Sequence, residues 1–152
     1  MTAALRPLVE GAFASFEAKD LPTALGYFAD DAVMIDPHYP TPTMRGQRAI
    51  NDGLQWAFGA LDRLSFTIVH FLAAEDGQTA AVETATAHVL PGGKTIRFTQ
   101  TFVIETRAGQ VVRLQAYTPY GPHGLAAIVL GLMRLGNKIR SRTRRSSKSA
   151  TS

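Results

Sequence analysis

Residues 28–40, FADDAVMIDPHYP, decide the fold. The short apolar run Ala32 to Ile35 contains a β-branched pair and reads as a strand. It leads straight into an acid, Asp36, followed by Pro37, His38, Tyr39 and Pro40. An acid at a strand end is either a turn-former that accepts backbone N–H bonds beside Pro37, or a carboxylate placed by the strand for chemistry. The flanking sequence says what that strand belongs to.

Upstream, Leu5, Leu8, Val9, Ala12, Phe13 and Phe16 recur at three- and four-residue steps, which predicts a helix over residues 4 to 19 with one apolar face. Asp20 is placed to cap a second short helix, with Pro22 in its first turn, where a missing N–H costs nothing. That helix is expected to carry Leu25 and Phe28 and to end near Asp30. Downstream, PHYPTPTMRG (37–46) holds three prolines and reads as a loop. Residues 47–61 then predict a third helix with Ile50, Leu54, Ala57, Phe58 and Leu61 inward. Gly53 and Gly59 each weaken it by about 1 kcal/mol relative to alanine. From residue 64 onward the pattern is β, punctuated at Asp76-Gly77, Pro91-Gly92-Gly93, Ala108-Gly109 and Gly121-Pro122. Strands joined by such short turns form an antiparallel meander. The expected fold class is α+β, with three N-terminal helices packed on one face of a curved antiparallel sheet.

At 152 residues the chain fits one domain with a real core. It has no cysteine, which excludes disulfides, thiolate zinc sites and cysteine nucleophiles and suits a reducing, cytoplasmic compartment. The first twenty residues lack the basic start and apolar stretch of a secretory signal. No segment reaches the roughly 18 uncharged apolar residues of a membrane span. The formal charge of +4 is unevenly distributed. Arg134, Lys138, Arg140, Arg142, Arg144, Arg145 and Lys148 place seven positive charges in residues 134–152, leaving the rest of the chain at −3. The basic pI therefore describes a tail, not a nucleic-acid-binding body. No His, Asp and Glu set has metal-ligand spacing, so no metal is expected. HVLPGGKT (88–95) lacks the first glycine of a phosphate loop and lies in a hairpin. There is no serine elbow.

The run ALGYFADDAVMIDP, the MRGQRAI that follows it and the meander ending in GQVVRLQAYTPY resemble the ketosteroid isomerase and polyketide cyclase (SnoaL-like) members of the nuclear transport factor two-like superfamily. The resemblance covers about residues 5 to 122. It implies a cone-shaped domain over 4–122 with an apolar pocket, a homodimer packed through the sheet, no cofactor, and a small apolar ligand that is steroid- or polyketide-like. It also implies that the acid of the Asp36-Pro37 pair is a general base, taking a proton beside a ketone and returning it elsewhere. The isomerases of this family hold the enolate oxygen with a first-helix tyrosine and a protonated acid on the third long strand. Here the first helix offers Ala12 and Phe13, and the acid's place falls on Thr101, a weaker donor.

If Thr101 faces the pocket, strand alternation puts Thr99 and Val103 beside it. The same family register turns Thr84, Thr86 and His88 inward on the neighbouring strand. Alternating threonines also suit strands for steric reasons alone. Phe13, Tyr27, Tyr39, Trp56, Tyr117 and Tyr120 are expected in the pocket or at its rim. His38 is the candidate partner of Asp36 or a second acid/base group, unless it is a plain loop residue. His70 and His123 read as a strand residue and a turn residue without a catalytic part. Two functions follow: an isomerase or cyclase built on Asp36, His38 and Thr101, or a non-catalytic carrier or sensor of an apolar ligand.

Beyond the domain, residues 123–140 predict a helix that turns from apolar to basic, and 141–152 a disordered basic tail. Leu125, Ile128, Leu132, Leu135 and Ile139 form its stripe. Three readings compete for this segment. It packs over the pocket or on a second subunit, or it lies on an anionic membrane surface through residues 124–148, or its tail binds nucleic acid. The last is weakest, because the tail has no aromatic residue to stack bases.

Overall fold

The computed structural model describes residues 5–118 and 131–136. The first helix, α1 (Leu5–Glu17), buries Leu5, Val9, Ala12, Phe13 and Phe16, the stripe expected from its periodicity. It ends in a Schellman turn: Lys19 adopts φ +55°, its N–H donates to the Phe16 carbonyl, and the Asp20 N–H donates to the Ser15 carbonyl. Asp20 then caps α2 (Leu21–Gly26), accepting from the Thr23 N–H at 3.2 Å and the Thr23 hydroxyl at 2.6 Å. These bonds hold its carboxyl below the ordinary range. The helix stops two residues short of Phe28, which begins β1 (Phe28–Ile35) instead of closing α2.

The 37–46 loop is likewise shorter than expected, because Thr43–Arg45 form a strand, β2, paired antiparallel with β1. Gly46 (φ +78°) turns the chain into α3 (Gly46–Ala60). At its start the Gln47 amide donates to the carbonyls of Leu25 and Phe28, tying α3 to the α2–β1 junction.

Four long strands follow: β3 (Arg63–Ala73), β4 (Thr79–Val89), β5 (Thr95–Arg107) and β6 (Gln110–Tyr117). Their turns fall at Gly77, Gly92-Gly93 and Ala108-Gly109, all at positive φ and all within the segments marked by sequence. The sheet order is β2-β1-β6-β5-β4-β3. Every neighbouring pair is antiparallel except β1 with β6, which is parallel. The sheet is thus mixed, and the expectation of an all-antiparallel sheet is corrected at this pair. Short loops predict hairpin partners but say nothing about which strand a distant segment joins.

The helices cover one face of the sheet. Phe13 stacks on Phe66 at 5.2 Å and meets Phe102 at 5.1 Å, while Phe16 stacks on Phe28 at 6.3 Å. Such ring pairs add roughly 0.5–1.5 kcal/mol beyond the area they bury. β3 is an edge strand, and α1 protects part of it: Glu17 accepts the Phe66 N–H at 2.6 Å. Beyond a bulge near Val69 the edge is open, with Val69 and Leu72 exposed.

Two glycines in the interior of α3, Gly53 and Gly59, differ in role. A Cβ on Gly59 would meet nothing, whereas one on Gly53 would sit 2.2 Å from the buried Met44 sulfur. Gly59→Ala should therefore raise stability by up to about 1 kcal/mol. Gly53→Ala should lower it by about 1–3 kcal/mol, through overpacking. Urea midpoints of the two variants check the pair, and the reverse ranking would contradict this packing of β2 on α3.

Residues 131–136 are helical and expose Leu132, Met133 and Leu135. The remainder of the expected 123–140 helix, the 141–152 tail, Tyr120 and His123 lie outside the described residues. Among the described residues no helix is long and apolar enough to cross a membrane.

Candidate functional site

Strand alternation builds the site. On β1, Ala32 and Met34 point into the interior, and Asp36, one step past the strand end, continues the series. Asp36 is a buried residue, with 9 % of its side chain exposed. The Asp36 N–H donates to the Pro42 carbonyl at 2.9 Å, which folds the 37–42 loop back on the strand end. Asp36 Oδ1 accepts the His38 N–H at 2.9 Å, the turn-forming bond expected of an acid before proline. The same oxygen lies 2.8 Å from His38 Nδ1. A carboxylate partner favours the tautomer with its proton on Nδ1, leaving Nε2 of a neutral ring as the free acceptor.

The His38 ring faces Phe98 on β5 at 5.2 Å, and Phe98 faces His88 on β4 at 5.5 Å. His88 also sits edge-on to Phe66 at 5.3 Å. Asp36, His38 and His88 thus share one aromatic environment. Burial pushes the His88 pKa down, and the His38 ring adds to this. The Ala87 backbone bond and the Asp36 charge act in the opposite direction. His88 Nδ1 is buried without a partner.

Beside it, Thr84 and Thr86 are fully buried, with their hydroxyls 2.9 Å apart. The Gln100 amide donates to the Thr86 hydroxyl at 3.1 Å, and Gln100 Oε1 has no partner. The interior therefore holds a carboxylate–imidazole pair, a second imidazole and a hydroxyl–amide chain, all set among phenylalanines.

A family model of the SnoaL-like domain matches residues 9–114. The chain belongs to the SnoaL-like family. Solved structures place the SnoaL-like domain in the same fold. A candidate polyketide cyclase from Xanthomonas campestris pv. campestris superposes with a TM-score of 0.66 at 20% identity, covering 76% of this chain and 90% of its own. A Mycobacterium tuberculosis protein in complex with estradiol-17beta-hemisuccinate gives 0.67 at 18% identity, covering 75% and 92%. A candidate polyketide cyclase from Sinorhizobium meliloti gives 0.63 at 21% identity, covering 77% and 99%. No curated protein sequence matches the chain.

The SnoaL-like domain gathers only part of the set expected from sequence. Asp36, His38, Thr84, Thr86, His88 and Phe13 face the helix-covered side. Thr99 and Thr101 do not, which corrects their expected place in the pocket. β4 pairs with β5 as Thr84↔Gln100 and Thr86↔Phe98, and directly opposed residues share a face. Thr101 opposes Glu83 and Tyr117 on the outer face, and Thr99 opposes Ala85. Tyr117, 46 % exposed, is likewise outside. Ile96, Phe98, Gln100 and Phe102 occupy the inner positions of β5.

Tyr27 lies against α1, where a Cβ on Gly11 would sit 2.2 Å from its hydroxyl oxygen. Trp56 packs on Tyr39 at 5.7 Å. Together they line a cleft of about 340 Å³ between the 39–44 segment and α3. A second cleft, of about 300 Å³, lies between α1 and β3 and touches Phe13 and Phe66. Asp36, His38 and His88 line neither.

Sequence reasoning missed Gln100 and Phe98. The signal was present in the turn at residues 91–93, which opposes Val89 to Thr95 and so pairs even-numbered residues with even across the two strands. With Thr84 inward, Gln100 must be inward too.

The depressed pKa of His88 has a measurable consequence. As pH falls through 6.5, the unfolded chain takes up this proton before the folded one. Stability then declines as pH drops below that value. Both Asp36 and His38 act on His88 from the facing loop. Replacing His88 with Phe, which suits its aromatic neighbours, should flatten that decline. Urea midpoints of both proteins across the acid range check it, and parallel curves would contradict it.

Proposed function

We propose that this SnoaL-like domain binds a small apolar carbonyl compound, steroid- or polyketide-like, and moves a proton on it with Asp36 as general base. The observation that carries this reading is the buried, inward-turned Asp36 carboxylate held by His38 beside an aromatic interior. A carboxylate there can remove a proton α to a ketone. His38, bound through Nδ1, orients the acceptor oxygen and spreads its charge. His88, favoured in its neutral form by burial, can exchange a hydrogen bond with the substrate without adding a buried charge. The enolate oxygen would be held by hydroxyl donors of the Thr84–Thr86 pair. The steroid complex of the Mycobacterium tuberculosis neighbour supports the ligand class through the shared fold.

A second reading is a carrier or sensor of the same kind of ligand. It is favoured by the weak donors, since neither a threonine hydroxyl nor an amide matches the pKa of an enolate. It is also favoured by the two clefts described above, neither of which is lined by Asp36. Incubation in D2O with β,γ-unsaturated and polycyclic ketones separates the two. Deuterium uptake and double-bond movement, followed by NMR, are the expected result. Ligands that bind without taking up label would establish the carrier.

A further inference from the structure

The cleft between the 39–44 segment and α3 adjoins the Asp36 turn, where the Tyr39 N–H donates to the Asp36 carbonyl at 3.2 Å, and its lining is chemically distinctive. Two aromatic walls, Tyr39 and Trp56, meet at 52° with centroids 5.7 Å apart. The buried thioether of Met44 lines the cleft too. Gly53 lets β2 approach α3, since any Cβ there would strike the Met44 sulfur. The one charged side chain in the lining is Asp52. Its Oδ1 accepts the Asn51 amide at 3.3 Å. No arginine or lysine among the described residues pairs with it. Arg48, one turn earlier on the same helix, is exposed and makes no ion pair with it either.

We propose that this cleft binds a methylated ammonium group, seated between Tyr39 and Trp56 with Asp52 as its counter-charge. Ring faces are negative, and an alkylated cation gains from them while keeping apolar contact with the methyls. Anions are disfavoured by the same faces and by Asp52. A bare metal ion would find too few oxygens, since no group of three or more His, Asp or Glu side chains converges among the described residues. The cleft volume, about 340 Å³, is at the lower end of ligand sites and suits a small headgroup. Tyr39 stays a neutral phenol, because burial and the Asp36 charge both push its pKa up. The site is independent of whether the interior is catalytic.

Trp56 is the only tryptophan in the chain, so intrinsic fluorescence reports this cleft directly. The full-length protein is titrated with choline, with its uncharged tert-butyl analogue, and with sodium chloride at matched ionic strength. Choline should change the emission saturably and bind about tenfold more tightly than the analogue. Asp52→Asn, an exposed and tolerated change, should weaken choline about three- to tenfold and leave the analogue unaffected. The Gly53 amide NMR shift is followed in parallel, in case the indole emission is insensitive. Equal affinity for the two compounds, or no saturable response in either signal, would overturn the proposal.

Discussion

Asp36→Asn is expected to reduce deuterium uptake into a bound ketone by about two to four orders of magnitude, the usual range for removing a positioned general base. The substitution is nearly isosteric. Its amide oxygen can still accept the His38 N–H, so the turn at Pro37 should survive. What disappears is the carboxylate that accepts the proton and that favours the Nδ1–H tautomer of His38. The experiment is a time course of label uptake by NMR for both proteins, with ligand affinity measured alongside. A variant that binds as well as wild type and exchanges as fast would restrict Asp36 to its turn-forming role. Thr101→Ala is the matched control. Thr101 lies on the outer face opposite Glu83 and Tyr117, so uptake should not change.

The largest stability effect is expected one residue further along the same strand. Phe102 is 4 % exposed and packs on Phe13 at 5.1 Å and Phe66 at 6.0 Å. Truncation to alanine loses the transfer energy of the ring and leaves a cavity between α1 and the sheet. The cost should be about 3–5 kcal/mol. That is a large share of the roughly 5–15 kcal/mol that separates typical folded domains from their unfolded chains. Thr101→Ala should stay within about 0.5–1 kcal/mol. Guanidinium unfolding of the two variants therefore reads the strand's alternation directly. Comparable losses would contradict the register, and a loss below about 1 kcal/mol at Phe102 would mean that the interior collapses around the gap.

That alternation is where sequence reasoning met its limit. The α1 stripe was legible because six apolar residues keep helical spacing over about three turns, and tertiary packing then uses the same face. The hairpin turns were legible because glycines mark where the backbone must take positive φ. Asp36 was legible as an oddity, an acid continuing an apolar strand. Thr99, Thr101 and Tyr117 were misplaced for a definite reason. A period of two has only two phases, and the family register turns Thr84 inward on β4 and Thr101 inward on β5. The pairing of Val89 with Thr95 makes those choices incompatible. β2 was hidden among prolines because a three-residue strand carries too little pattern to register. The parallel β1–β6 contact was not legible, since it depends on a long-range choice that no local composition encodes.

That same contact bears on how the protein is made. β1 lies between a three-residue strand and β6, and Val33 must wait for Arg113, about 80 residues later in the chain. At roughly 5–20 residues per second of synthesis, one edge of β1 stays without its main partner for several seconds. During that interval the nascent chain presents the hydrogen-bonding edge of Ala-Val-Met-Ile, an apolar sequence suited to pairing with another strand. Asp30 and Asp31 before it, and Asp36 and Pro37 after it, bracket this run with charge and a residue that cannot extend a ladder. The acid that marks the candidate site thus also stands where a gatekeeper against aggregation on the ribosome would be placed.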